Sequence, residues 1–242
     1  MTSESTLTIG VLVPEVLGTY GDSGNAVVLA QRARWRGFEA EVVEVNLQSA
    51  IPRSLDIYTM GGGEDTAQAL ASRYLRGDRG LHDVVAKDRP VLAICAGMQV
   101  LGEWYTDATG RKVEGVGLLD LTTEPQDKRS IGELVTEPFI DGVDEFLTGF
   151  ENHGGATTLG DEARPLGRVI HGMGNGGAGV EPVDGCLQGS IVATYMHGPV
   201  LARNPLLADY LLSQAVGEAL KPLDNPEICE LRQQRLSAAA AV

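Results

Sequence analysis

The sequence predicts an α/β fold in which a mostly parallel sheet is flanked by helices. Three observations carry that prediction. Short apolar runs alternate with helical patterns up to Leu101, the order that builds βαβ units. The 31 glycines are spread through the turns between those runs, which suits backbone-lined sites. A central apolar run, residues 91–94, stops at Cys95, and a helical pattern starts after the small residues Ala96 and Gly97.

In chain order, residues 7–13 (Leu-Thr-Ile-Gly-Val-Leu-Val) make the first buried strand. A glycine-containing loop follows at 17–25, then a helix at 26–36 with Asp22 or Ser23 as its cap. Residues 39–45 and 57–60 are the second and third strands, and the third ends at Gly61-Gly-Gly63. Helices are predicted at 68–75 and 81–86, and the central strand at 90–94. Beyond Leu101 the pattern turns more antiparallel, with short strands at 115–121, 130–136 and 147–150. Residues 172–179 form a flexible glycine-rich loop; without a following Lys-Ser/Thr, it is no phosphate loop. Residues 189–196 are an apolar strand closing on His197, and 201–218 are one long amphipathic helix. The Ala-rich tail at 237–242 is expected to be disordered. With no repeat and no linker in view, residues 1–242 read as a single domain with its core at about 7–218.

Composition excludes several classes. The chain has 19 basic and 33 acidic residues, a net charge of −14, and no basic stripe. Nucleic-acid binding needs concentrated positive charge and is not expected. The acidity reads as a solvated surface. Cys95, Cys186 and Cys229 are odd in number and far apart, so neither a disulfide framework nor a zinc site is predicted. This usage fits a reducing cytoplasm. No signal-peptide pattern follows Met1 and no apolar run approaches membrane-spanning length. A cytoplasmic location without direct membrane insertion is therefore expected.

The segment around Cys95 has the layout of a nucleophile elbow: a buried strand, a tight turn with small neighbours, then a helix whose N-terminus points at the sulfur. The alternative is a buried packing cysteine. A cysteine nucleophile needs a base. Of the four histidines, His197 ends a predicted strand as Cys95 does, and sites in open parallel sheets gather at strand carboxyl ends. The competing role for His197 is a hydrogen-bonded strand cap. His153 and His171 lie in polar loops, either of which reaches a cleft in principle, and His82 sits on a helix surface. An oxyanion hole is expected from the Ala96 N–H and a second donor, Gly62 or Gly63.

Together these segments resemble the class I glutamine amidotransferases, and within them the cobyric-acid-synthase-like branch. The matching stretches are Tyr58-Thr-Met-Gly-Gly-Gly-Glu-Asp65, Leu92-Ala-Ile-Cys-Ala-Gly-Met-Gln-Val-Leu-Gly102 and Ala193-Thr-Tyr-Met-His-Gly-Pro199. Further matches are Thr19-Tyr-Gly-Asp-Ser-Gly-Asn25, Arg129-Ser-Ile-Gly-Glu133, Phe150-Glu-Asn-His-Gly154 and His197-Gly-Pro-Val-Leu-Ala-Arg-Asn-Pro205. The Tyr-Gly-Asp-Ser-Gly-Asn segment with the short length narrows the resemblance to the stand-alone amidotransferase subunits of lipid II isoglutaminyl synthases.

The resemblance implies a three-layer α/β sandwich and hydrolysis of L-glutamine. Cys95 is then the nucleophile, His197 the general acid and base, and Arg129 the substrate-binding residue. It implies no cofactor or metal in this chain, with ATP and metal confined to a MurT-like, Mur-ligase-family partner in a heterodimer. That partner would amidate the D-glutamate α-carboxylate of the lipid II stem peptide. Many class I members place a glutamate two residues after the histidine, where this chain has Pro199. The third acid is therefore Asp22, Glu64 or Asp65, or, as the resemblance implies, an acid of the partner. The rival readings are an amidotransferase for another acceptor, such as a corrin side chain, a cysteine hydrolase that ignores glutamine, and an interaction scaffold without activity.

Overall fold

The computed structural model describes residues 6–176, 181–223 and 225–240. Its elements are β1 (Leu7–Leu12), α1 (Gly24–Arg34), β2 (Ala40–Val45), β3 (Ile57–Met60), α2 (Asp65–Gly77), α3 (Gly80–Val85), β4 (Val91–Ile94) and α4 (Ala96–Leu101), followed by β5 (Trp104–Thr106), β6 (Lys112–Glu114), β7 (Leu121–Pro138), β8 (Leu147–Leu159) and β9 (Gly167–His171). The chain continues through β10 (Val183–Asp184), β11 (Cys186–Gln188), β12 (Ile191–Thr194), β13 (Met196–His197), α5 (Val200–Arg203), α6 (Pro205–Val216) and α7 (Pro226–Ala240).

The architecture is a three-layer α/β sandwich. Its six-stranded sheet runs β11-β12-β4-β3-β1-β2, and only the edge pair β11–β12 is antiparallel. Strands β3, β4 and β12 are buried at every residue, as strands covered on both faces must be. Each fully buried Val, Leu or Ile in them contributes about 1.5–3 kcal/mol. Edge strand β2 instead exposes Glu41 and Glu44, charges that blunt an open edge. Arg32 of α1 grips Asp209 of α6 through two hydrogen bonds of 2.8 and 2.7 Å, tying these helices together.

Strands β5 to β10 and β13 form a second sheet, antiparallel except for the β5–β7 pair. Its long pair β7–β8 is joined by β9, β5 and the two-residue β13. The segment 115–121, expected as a strand, is a loop up to Asp120. The N–H groups of Val116, Gly117, Leu118 and Leu119 bond to carbonyls of Val100, Gly102 and Leu101, satisfying acceptors that the end of α4 leaves open. The expected helix over 201–218 breaks at Asn204, which precedes Pro205; a residue before proline is pushed out of helical backbone. The Asn204 side chain then bonds both backbone groups of Thr148.

Helix α7 runs to Ala240, so residues 237–240 are helical where a disordered tail was expected. The rest of that tail, and residues 177–179 of the expected glycine-rich loop, lie outside the described residues. Cys186 is buried, but Cys229 is exposed. No helix among the described residues is long and apolar enough to cross a membrane.

Candidate active site

Cys95 sits between β4 and α4 with φ 50° and ψ −107°. This is a strained backbone for a residue with a Cβ, costing on the order of 1–3 kcal/mol. The surroundings hold it: Cys95 N–H donates to Thr194 O at 2.8 Å, and Gln99 N–H donates to Cys95 O at 3.1 Å. Small neighbours are needed for contact reasons. A Cβ on Gly97 would lie 2.9 Å from Gly61 O.

The run Gly61-Gly-Gly63 is required for the same kind of reason. A Cβ would come within 2.7 Å of Leu17 O at Gly61, 2.6 Å of His197 Cε1 at Gly62 and 2.6 Å of Val16 O at Gly63. Three chain segments converge there, and only backbone fits between them.

His197 arrives from a different sheet. Strand β12 pairs with β4 in the first sheet, and after Tyr195 the chain crosses to β13, which pairs with β8 in the second. Buried Asp184 holds this crossing, accepting from Thr194 Oγ1 at 2.5 Å and Tyr195 N–H at 3.2 Å. His197 therefore stands at the seam between the sheets, and not at the end of the strand that the sequence suggested.

Its ring is held on three sides. Gly62 lies beneath it, and Tyr20 covers it with a ring-centroid separation of 4.4 Å. Nδ1 faces Asp22 Oδ2 at 3.3 Å. Asp22 is itself fixed: Gly62 N–H donates to Oδ2 at 2.7 Å, and Gly198 N–H donates to Oδ1 at 2.8 Å. Nε2 of His197 is buried and has no hydrogen-bond partner among the described residues. Burial opposes charge on the imidazole, but the Asp22 carboxylate and the neighbouring Cys95 sulfur outweigh it and carry the pKa up to about 10. Cys95 is thus a neighbour that His197 senses, although His197 is not among the residues lining the cavity into which Cys95 opens.

The Gly62 N–H, expected as an oxyanion donor, is spent on Asp22. No acceptor is found among the described residues for the N–H groups of Gly63 and Ala96, and both residues line the cavity that Cys95 opens into.

That cavity measures roughly 290 Å³. Its far wall comes from the second sheet. The β7–β8 register shifts between Pro125 and Ser130, and Arg129 leaves this irregularity to line the cavity; such bulges re-aim side chains. Arg129 Nε donates to Asn152 Oδ1 at 2.6 Å and Nη2 to Asn152 O at 3.2 Å. His153 also lines the cavity, stacked on Tyr195 at 3.6 Å. Its Nδ1 faces Gly155 O at 2.9 Å and its Nε2 faces Glu151 Oε2 at 3.4 Å, so neither nitrogen is free.

Of the acids proposed for the third position, Asp22 alone meets His197. Glu64 and Asp65 line the cavity instead. Tyr20 and Asn152 lie within the matching segments, and the only signal the sequence offers for them is the company they keep with Asp22 and His153. His171, at the end of β9, is not among the cavity's lining residues. Among the described residues no group of three or more His, Cys, Asp or Glu could hold a metal ion.

Comparison with known proteins identifies the family. A family model described as a CobB/CobQ-like glutamine amidotransferase domain matches residues 8–205. The chain is 37% identical to the lipid II isoglutaminyl synthase (glutamine-hydrolyzing) subunit GatD of Staphylococcus aureus (strain N315), over 92% of this chain and 89% of the relative. It is 35% identical to the subunit of that name from Streptococcus pneumoniae (strain ATCC BAA-255 / R6), over 87% of this chain and 80% of the relative. Identity to the cobyric acid synthase of Brucella abortus (strain S19) is also 35%, but over 65% of this chain and 32% of the relative. A crystal structure of a glutamine amidotransferase superposes with a TM-score of 0.56 at 20% identity, covering 86% of this chain and 98% of that one. That likeness is one of fold.

Proposed function

The chain belongs to the CobB/CobQ-like glutamine amidotransferases, and from that premise we propose that it is the glutamine-hydrolysing subunit of a lipid II isoglutaminyl synthase. The observation that carries this reading is the 37% identity extending over 92% of the chain and 89% of the Staphylococcus aureus GatD relative. The match to cobyric acid synthase covers 65% of this chain against 92% for the GatD relative, which favours the lipid II reading over the corrin acceptor.

Cys95 attacks the side-chain amide carbon of L-glutamine as a thiolate. The thiolate is the nucleophilic form of a cysteine. The oxygen of the tetrahedral intermediate takes hydrogen bonds from the Ala96 and Gly63 N–H groups, which have no acceptor among the described residues. His197 gives its Nε2 proton to the leaving nitrogen, and ammonia departs. A water then attacks the thioester, His197 takes up its proton, and glutamate is released with the thiolate restored. Asp22 keeps the ring in register by accepting from Nδ1, the role that an orienting carboxylate plays in a triad. An acid of this chain therefore fills the position for which the resemblance suggested an acid of the partner.

Arg129 offers a guanidinium to the substrate's α-carboxylate. The ammonia passes to a MurT-like, ATP-dependent ligase subunit in a heterodimer. That subunit converts the D-glutamate α-carboxylate of the lipid II stem peptide to D-isoglutamine, in the cytoplasm.

The test is a glutaminase assay with and without the ligase subunit, on the wild type and on Cys95→Ala. Glutamate release should vanish in the variant while its circular dichroism spectrum stays native. Release near the wild-type rate would reject Cys95 as the nucleophile. If ammonia from glutamine never appears in amidated lipid II, the acceptor assignment fails.

A further inference from the structure

Four side chains from distant parts of the sequence form one hydrogen-bonded rim on the cavity that holds Cys95. Tyr20 OH donates to Glu64 Oε1 at 3.4 Å. Asn152 Nδ2 donates to Tyr20 OH at 3.3 Å. Arg129 Nε donates to Asn152 Oδ1 at 2.6 Å. All four line the cavity, with an acid at one end of the chain of bonds and a base at the other.

Two other carboxylates line this cavity, and neither belongs to the bonded rim that carries Arg129. Asp65 Oδ2 accepts from Ala108 N–H at 3.0 Å. Asp107 accepts from Thr109 and Arg111 through both side-chain oxygens, and these bonds hold its pKa down at about 2. Glu64 has one long bond to a phenol and spare acceptor capacity.

A free α-amino acid carries an ammonium and a carboxylate on one carbon. A peptide-bound glutamine or a simple amide lacks that pair of charges. We propose that the rim reads both charges of free L-glutamine, with Glu64 accepting from the α-ammonium while Arg129 takes the α-carboxylate. Glu64 is then a specificity-determining residue, and Tyr20 and Asn152 are positioning residues that hold the two charged ends at a fixed separation. This assignment rests on the glutamine reading above and adds the group that excludes amides lacking an α-amine.

A hydrogen bond to a charged partner is worth about ten- to a hundredfold in affinity. The experiment is calorimetric binding to the full-length Cys95→Ala chain, with L-glutamine, its deamino analogue 4-carbamoylbutanoate and Nα-acetyl-L-glutamine as probes. L-glutamine should bind at least about tenfold more tightly than either analogue. Adding Glu64→Gln should weaken L-glutamine by about ten- to a hundredfold and leave 4-carbamoylbutanoate unchanged, which erases the preference. Glu64→Asp, which keeps the charge, should restore part of it.

Equal weakening of both ligands by Glu64→Gln would mark a merely structural role and overturn the assignment. An intact preference in Glu64→Gln, with L-glutamine still bound, would overturn it while leaving the glutamine reading standing. No binding of L-glutamine to the folded Cys95→Ala chain would overturn both.

Discussion

The two sheets contribute to the cavity in different ways. The parallel sheet delivers Cys95 and the Gly61–Gly63 run from the ends of β4 and β3, where a strand stops and the backbone itself is exposed to the site. The antiparallel sheet delivers Arg129 and Asn152 from side-chain positions along β7 and β8, selected by register and by the irregularity between Pro125 and Ser130. A strand end fixes a backbone to a fraction of an ångström, as reacting atoms require. A long side chain from a sheet face suits charge recognition, which tolerates more play. The difference assigns bond-making to the first sheet and recognition to the second, with His197 at the crossing between them.

This division can be broken by kinetics. Cys95→Ala should lower kcat by about 10⁴-fold or more, measured as glutamate release; appreciable residual turnover would remove the first sheet from the chemistry. Asp22→Asn should lower kcat by about 10²–10⁴-fold, since it removes the carboxylate charge beside Nδ1 and replaces one of two accepting oxygens with a donor.

The same variant should shift the alkaline limb of the kcat/KM profile. Asp22 raises the His197 pKa toward about 10, so its loss lowers that pKa and moves the limb to lower pH. The linkage has the same sign. A raised histidine contributes stability that is complete below its unfolded pKa of about 6.5 and is lost as pH rises through its folded value of about 10. Thermal denaturation followed against pH should show that loss in the wild type over a wider window than in Asp22→Asn.

Gly62→Ala should lower kcat on the order of 10²-fold with little change in KM, because its Cβ would lie 2.6 Å from His197 Cε1. A KM effect instead would place this glycine with recognition. The smallest expected effect belongs to the second sheet. Arg129→Ala should raise KM for glutamine by about tenfold to a hundredfold and leave kcat nearly intact. A kcat defect of the Cys95 kind would end the division of labour between the sheets.

Legibility in the sequence follows the same division. The strand-end elements could be read locally. An apolar run ending at Cys95, and another ending at three glycines, each announce their place at the carboxyl edge of a parallel sheet. Arg129 was reached only through resemblance, since in its own surroundings it is a polar residue beside Lys128 and Asp127. The second sheet was visible only as short runs, because β7 and β8 contain long polar stretches whose pairing partners set their structure.

The sequence by itself determined the α/β class, the elbow at Cys95 and the glycine run, because each depends on neighbours within a few residues. Only the tertiary structure decided that Asp22 is the acid at His197, that Gly62 gives its N–H to that acid, and that Glu64, Tyr20, Asn152 and Arg129 share one rim. Those contacts join residues between 23 and 175 positions apart, Arg129 with Asn152 the nearest and Asp22 with His197 the farthest. Such partners are chosen by sheet register and by the seam where β12 passes into β13, and no local pattern encodes either.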